Sequence, residues 1–121
     1  MSKIKIAIQR AYDAPAEEEE SFRVLVDRLW PRGLKKENLE LDFWAKDISP
    51  SAEVRKKYHS HPDDFAAFKK SYLKELESNP NLDFLTKELG KHKRIILLYA
   101  SKDKEHNNAV VLKEFLEKKM G

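Results

Sequence analysis

Asp27, Arg28, Trp30 and Arg32 crowd a carboxyl, two guanidiniums and an indole into one short stretch. A guanidinium is a planar fork of donors that matches the paired oxygens of a carboxylate or phosphate. An indole offers a flat face on which a base or ring can stack. A second group of polar residues lies near the carboxyl end: Tyr99, Ser101, Lys102, Asp103, Glu105, His106 and Asn107. Asp27, Glu105 and His106 are the candidate catalytic residues, because a carboxyl or an imidazole suits general acid or base work. Arg10, Arg28, Trp30, Arg32, Tyr99, Ser101, Lys102 and Asn107 are the candidate ligand contacts. The chemistry they suggest is the capture of a small anionic, nucleotide-like molecule. Arg28 and Arg32 would hold its anion, Asp27 would orient an arginine or take a proton, and His106 with Asn107 would complete the site.

Three strands must bring these residues together. Residues 3–10 alternate, with Ile4, Ile6 and Ile8 facing one way and Lys3, Lys5 and Gln9 the other, as in a half-buried strand ending at Arg10. Residues 22–28 form a short apolar run rich in β-branched side chains, which reads as a buried strand. That run breaks at Pro31, which cannot donate to a ladder, and at Gly33, which permits positive φ. Residues 93–100 are the clearest strand, a continuous apolar run expected of a central strand covered on both faces. If the three are parallel, their carboxyl ends form one rim, where ligands of open α/β sheets bind. The connection between the first two strands has only about eleven residues, short for a helical crossover, so the first strand can also be read as antiparallel.

The other segments read as supports. Lys35–Asn38 can form one helical turn, and Leu39, Leu41 and Phe43 alternate as a short edge strand. Ser49-Pro50 starts a helix to about Tyr58, with Ser49 as its cap and Val54 and Tyr58 inward. A second helix begins near Pro62, with Asp63 and Asp64 in its first turn and Phe65, Phe68, Tyr72 and Leu76 as its buried stripe. Asn79-Pro80 opens a third, with Leu82, Leu85 and Leu89 inward and Gly90 at its end. A last helix to about Lys119 buries Ala109, Leu112, Phe115 and Leu116. The expected fold is a small α/β sandwich in one domain over residues 1–121. Its mainly parallel sheet has three to four strands flanked by helices, a pattern compatible with Rossmann-like topology.

Each candidate also has a plainer reading. Asp27 with Arg28 or Arg32 can be a structural ion pair that pins the corner. Trp30 can be core, and Asn107 can be a helix cap. His59 and His61 with Asp63 and Asp64 read as a solvated turn and cap rather than a metal site. The run Glu17–Glu20 reads as a solvated acidic loop.

Composition removes several function classes. There is no cysteine, so disulfides, thiol catalysis and cysteine-based zinc sites are excluded, and a reducing cytoplasm is the expected setting. With three glycines in 121 residues there is no Gly-x-Gly-x-x-Gly, Walker or Gly-x-Ser-x-Gly loop, so no cofactor is expected. No apolar run reaches the roughly 20 residues of a membrane span, and the first residues carry no signal-peptide core. The net charge of +3 is mildly basic and mixed in sign. It permits an anionic partner without demanding nucleic acid. The alternative to a small-ligand site is a non-enzymatic module that binds nucleic acid or protein through this mild basicity and Trp30.

The stretch Arg23–Gly33, then Ser49-Pro50-Ser51 with Arg55, Phe68–Leu76, Leu98–Asp103 and Glu105-His106-Asn107 resembles the YeaO-like family, domain of unknown function 488. The resemblance covers nearly the whole chain in order, and the tryptophan-proline-arginine-glycine corner is its specific part. It implies a compact bacterial or archaeal α/β domain and no established activity. Regulator and methyltransferase labels sometimes attached to the family find no support here, since the sequence has neither a winged-helix pattern nor a methyl-donor glycine loop. The acidic run Glu17–Glu20 stands where the family has a shorter polar loop.

Overall fold

The computed structural model describes residues 4–13 and 20–120. Lys3 and most of the acidic run Glu17–Glu20 lie outside the described residues. The sheet has four strands: β1 (Lys5–Arg10), β2 (Phe22–Leu25), β3 (Phe43–Trp44) and β4 (Arg94–Tyr99). All pairings are parallel, in the order β1-β4-β2-β3. The first strand is therefore parallel, and the antiparallel alternative falls. It pairs with β4 rather than β2, so the short link does not have to form a helical crossover between adjacent strands.

β4 is central because its sequence is apolar toward both faces: Ile95 to Tyr99 are all buried. Ile6 and Ile8 of β1 stand beside Ile95 and Leu97, and Val24 and Leu25 of β2 stand beside Leu97 and Leu98. β2 is shorter than the sequence suggests, because the ladder ends at Leu25 and Asp27–Leu29 form a bend.

Two unequal layers cover the sheet. One core joins Val24, Ile95, Leu97 and Tyr99 to Phe68, Tyr72, Leu76, Leu85, Leu89 and Leu112. These come from α3 (Phe65–Glu77), α4 (Leu82–Leu89) and α5 (Asn108–Met120), with α2 (Ala52–Ser60) adding Val54 and Tyr58 at its margin. The stripe Phe65, Phe68, Tyr72 and Leu76 thus faces the core as its spacing requires. The other layer is thin: Leu25, Ile96 and Leu98 are covered by Leu39 of α1 (Lys36–Leu39), by Trp30 and Leu34 of the corner, and by Trp44.

Three helix starts shift from their expected places. Ser51, not Ser49, caps α2 by accepting the Val54 N–H at 3.2 Å, while the Ser49 hydroxyl donates to Lys46 O at 2.7 Å. Proline fits the first helical position but equally fits the extended backbone before a cap, and the chain uses it so. Asp64 accepts the Ala67 N–H at 3.1 Å as the cap of α3, so neither aspartate lies inside the first turn. α4 begins at Leu82, and Gly90 ends it in a right-handed conformation. Among the described residues no helix is long and apolar enough to cross a membrane.

Candidate functional site

The carboxyl ends of β1, β2 and β4 meet at a cleft of about 420 Å³. Its walls come from the corner after β2, the amino end of α5, α2 and the segment after β1. The corner is held by backbone bonds to polar tips of aromatic side chains. Trp44 Nε1 donates to Asp27 O at 2.7 Å, Trp30 Nε1 to Leu34 O at 2.8 Å, and the Tyr12 hydroxyl to Arg32 O at 2.7 Å. The two indoles meet edge to face with centroids 5.5 Å apart. Gly33 takes φ +83, and a Cβ there would touch nothing within 4 Å, so its glycine answers a conformational need and not a lack of space.

Asp27 does not pair with Arg28 or Arg32 among the described residues. Its Oδ2 accepts the Ala100 N–H at 2.8 Å and its Oδ1 accepts Asn108 Nδ2 at 3.0 Å. The same Asn108 amide reaches Val26 O at 2.7 Å. The structural ion pair read from the sequence is replaced by a neutral-donor clasp across β2, β4 and α5. Burial pushes the Asp27 carboxyl above its ordinary range, opposed by the Asn108 and Ala100 bonds and by the Arg55 charge.

Arg28 and Arg32 are exposed at the cleft, and neither has a side-chain hydrogen bond or ion pair among the described residues. Trp30 packs on the thin core and also lines the cleft. Ser101 lines it too, with its hydroxyl accepting the Asp103 N–H at 3.1 Å. Asn107 is the cap of α5, its Oδ1 accepting the Val110 N–H at 3.0 Å, and it reaches the cleft wall from there. His106 lines the cleft with Nδ1 held 3.1 Å from Asp103 Oδ2 and its ring edge-on to Phe65. The Glu105 and His106 N–H groups hold the exposed Asp103 carboxyl below its ordinary value.

Four candidates stand apart from the cleft. Arg10 donates to Ser101 O at 3.1 Å and lies over the Tyr12 ring, so it buttresses the wall. Tyr99 is buried in the core, and burial raises its hydroxyl pKa. A ring enclosed in that way cannot stack on a ligand. Lys102 and Glu105 are exposed and line no part of the cleft.

The structure adds residues that the sequence reading did not place there. Arg55, half-buried on α2, brings a third guanidinium, and Tyr58, His59 and Phe68 extend the wall. Asn108 rather than Asn107 touches the acid. On α2 Arg55 and Tyr58 are three residues apart, which puts both on the cleft side of the helix. No signal in an isolated Asn-Asn pair tells which one caps and which one clasps. Among the described residues no group of three or more histidines and carboxylates is arranged to hold a metal.

A family model described as the inactive DUF488-N3 subclade matches residues 5–121. The chain belongs to this family. It is 42% identical to the uncharacterized protein YeaO of Escherichia coli over 93% of this chain and 97% of that one. It is 32% identical to an uncharacterized protein of Mycobacterium tuberculosis over 93% of each chain. An uncharacterized protein of Mycobacterium bovis matches at the same identity and coverage. No solved structure gives a significant match. The YeaO-like resemblance read from the corner and the carboxyl-end cluster is therefore the family found, and both segments fall on the cleft of this DUF488 chain.

Proposed function

We propose that the chain binds a small anionic, nucleotide-like molecule in this cleft, and that it does so as a binding protein. The observation that carries this reading is the charge of the wall. Among the described residues Arg28, Arg32 and Arg55 face a space lined by one carboxylate, Asp27, whose two oxygens already accept hydrogen bonds. Among the described residues none of the three guanidiniums forms an ion pair, and only Arg55 acts on the Asp27 charge, so they gain most from a ligand that supplies an anion. Tyr12, Trp30 and Tyr58 add aromatic surface for a base or ring, and the volume suits a small molecule.

Binding is favoured over catalysis because Asp27, the carboxylate of the cleft, already accepts a hydrogen bond on each oxygen. The description of the family as an inactive subclade agrees with this.

The test is a thermal-shift series with nucleotides, nucleosides, sugar phosphates and short single-stranded DNA, on the wild type and Arg28→Ala. A ligand at a hundred times its Kd adds about 2.7 kcal/mol, or roughly 10 °C in Tm for a chain of this length. A shift given by phosphate-bearing ligands and lost in a folded Arg28→Ala protein supports the reading. A shift given by DNA alone and falling steeply with salt would favour a nucleic-acid module instead. No shift with any probe would sink the small-ligand reading.

A further inference from the structure

We propose that α2 is a lid, a helix that closes over the cleft when an anion engages Arg55. The closing step rests on the reading of the cleft as an anion site.

α2 is held differently from the other long helices. α3, α4 and α5 each bury at least three side chains, whereas α2 buries none over its nine residues. Among the described residues, no hydrogen bond or ion pair joins residues 52–60 to another element. The bond that anchors the start of the helix lies just before it, where the Ser51 N–H donates to Glu75 Oε1 of α3 at 3.0 Å. Near its end Tyr58 stacks on Phe68, with ring centroids 4.6 Å apart, and leans on Phe65. A segment with so few buried apolar contacts detaches at a small cost in free energy.

Space is open on both sides of α2. On one side is the cleft, to which it brings Arg55, Tyr58 and His59. On the other is a hollow of about 210 Å³ between α2 and α3, with Val54 and Lys57 on one wall and Ala67 and Ser71 on the other. Tyr58 and Phe68 line both spaces, so their stacked rings form the partition. Close-packed helices leave no such gap. α2 can therefore move toward the rim without first prising apart a tight interface.

Arg55 is the means of closure. It is the guanidinium of the cleft wall that this helix carries, while Arg28 and Arg32 belong to the corner. An anion gripped between the corner and Arg55 binds the closed arrangement better than the open one. That difference in affinity is what shifts the population toward closure.

The chain has no cysteine, so introduced cysteines alone take spin labels. One labelled pair, Lys56→Cys with Glu117→Cys, spans α2 to α5. A control pair, Lys70→Cys with Glu117→Cys, spans α3 to α5. All three positions are exposed and lie outside the cleft. Double electron–electron resonance reads both distances without and with saturating adenosine 5′-monophosphate, whose binding is followed by titration calorimetry. Without nucleotide, the α2–α5 distances should be spread more widely than the α3–α5 distances. The nucleotide should narrow and shift the α2–α5 distances and leave the α3–α5 distances unchanged. With Arg55→Ala added, saturating nucleotide should leave the α2–α5 distances spread. Bound nucleotide that does not alter the α2–α5 distances, or a narrowing that survives Arg55→Ala, overturns the lid and leaves the anion site standing. Failure of the nucleotide to bind in the calorimeter would remove the anion-site reading, and the lid with it.

Discussion

The Asp27 carboxylate accepts the Ala100 backbone N–H at 2.8 Å, across 73 positions of sequence. This bond joins the chain just past β2 to the chain just past β4 at the level where both strands stop. Through its other oxygen and Asn108, the same side chain reaches the first residue of α5. One carboxylate thus fixes the relative position of three elements that line the cleft.

Replacing Asp27 by alanine leaves the Ala100 N–H and the Asn108 amide without their acceptor. A loss of about 2 kcal/mol in unfolding free energy is expected, the cost of stranded, partly buried donors. Asp27→Asn keeps one acceptor oxygen and should lose less. Urea denaturation of both variants at neutral pH measures the difference, and equal stability of alanine variant and wild type would contradict the clasp.

The two aspartates of the rim should bend the stability–pH curve in opposite directions. Burial raises the Asp27 carboxyl above the ordinary 3.8, so between that value and its folded-state value the native protein holds more proton than the unfolded chain, and stability falls as pH rises. The Asp103 carboxyl is lowered from 3.8 by the Glu105 and His106 N–H groups, so its contribution is present above 3.8 and is lost as pH falls through its folded-state value. Chemical denaturation from pH 3 to pH 7 should therefore show Asp27→Asn gaining relative to wild type as pH rises above 3.8. Asp103→Asn should gain relative to wild type as pH falls below it. The reverse order would contradict the assigned environments.

Arg55→Ala separates binding from folding. The side chain has no ion pair among the described residues, so removing it should change stability by no more than about 0.5 kcal/mol. A phosphate ligand should nevertheless lose roughly tenfold to a hundredfold in affinity, as when one charge-assisted contact is removed. Calorimetry against the ligand found by thermal shift reads this directly, and unchanged affinity would place the anion away from α2.

What the sequence made legible was whatever depends on long apolar patterns. β4 was readable because a strand covered on both faces must be apolar at every position, and the α3 stripe because one buried helical face repeats every three or four residues. The corner was readable because Pro31 and Gly33 interrupt a buried run. The partner of Asp27 was not, because arginines adjacent in sequence are the obvious choice, and only the register of β4 against β2 brings the Ala100 N–H within reach. Tyr99 was misplaced for a related reason. At a strand end a tyrosine can face the rim or the core, and here its ring joins the core between the sheet and the helices. Arg55 entered the sequence reading only through the family resemblance, because nothing in the helix pattern tells that its face borders the cleft.

The strand order carries a consequence for synthesis on the ribosome. β4, last of the strands to be made, is inserted between β1 and β2, and β1 has no other neighbour in the sheet. A nascent chain that has not yet delivered residues 94–99 therefore has two strands waiting for a partner that separates them. Non-local parallel pairing of this kind is slow to form. The cleft walls at Ala100 and Asn108 are made later still, so the site comes into being only after β1, β2, β3 and β4 have all been made.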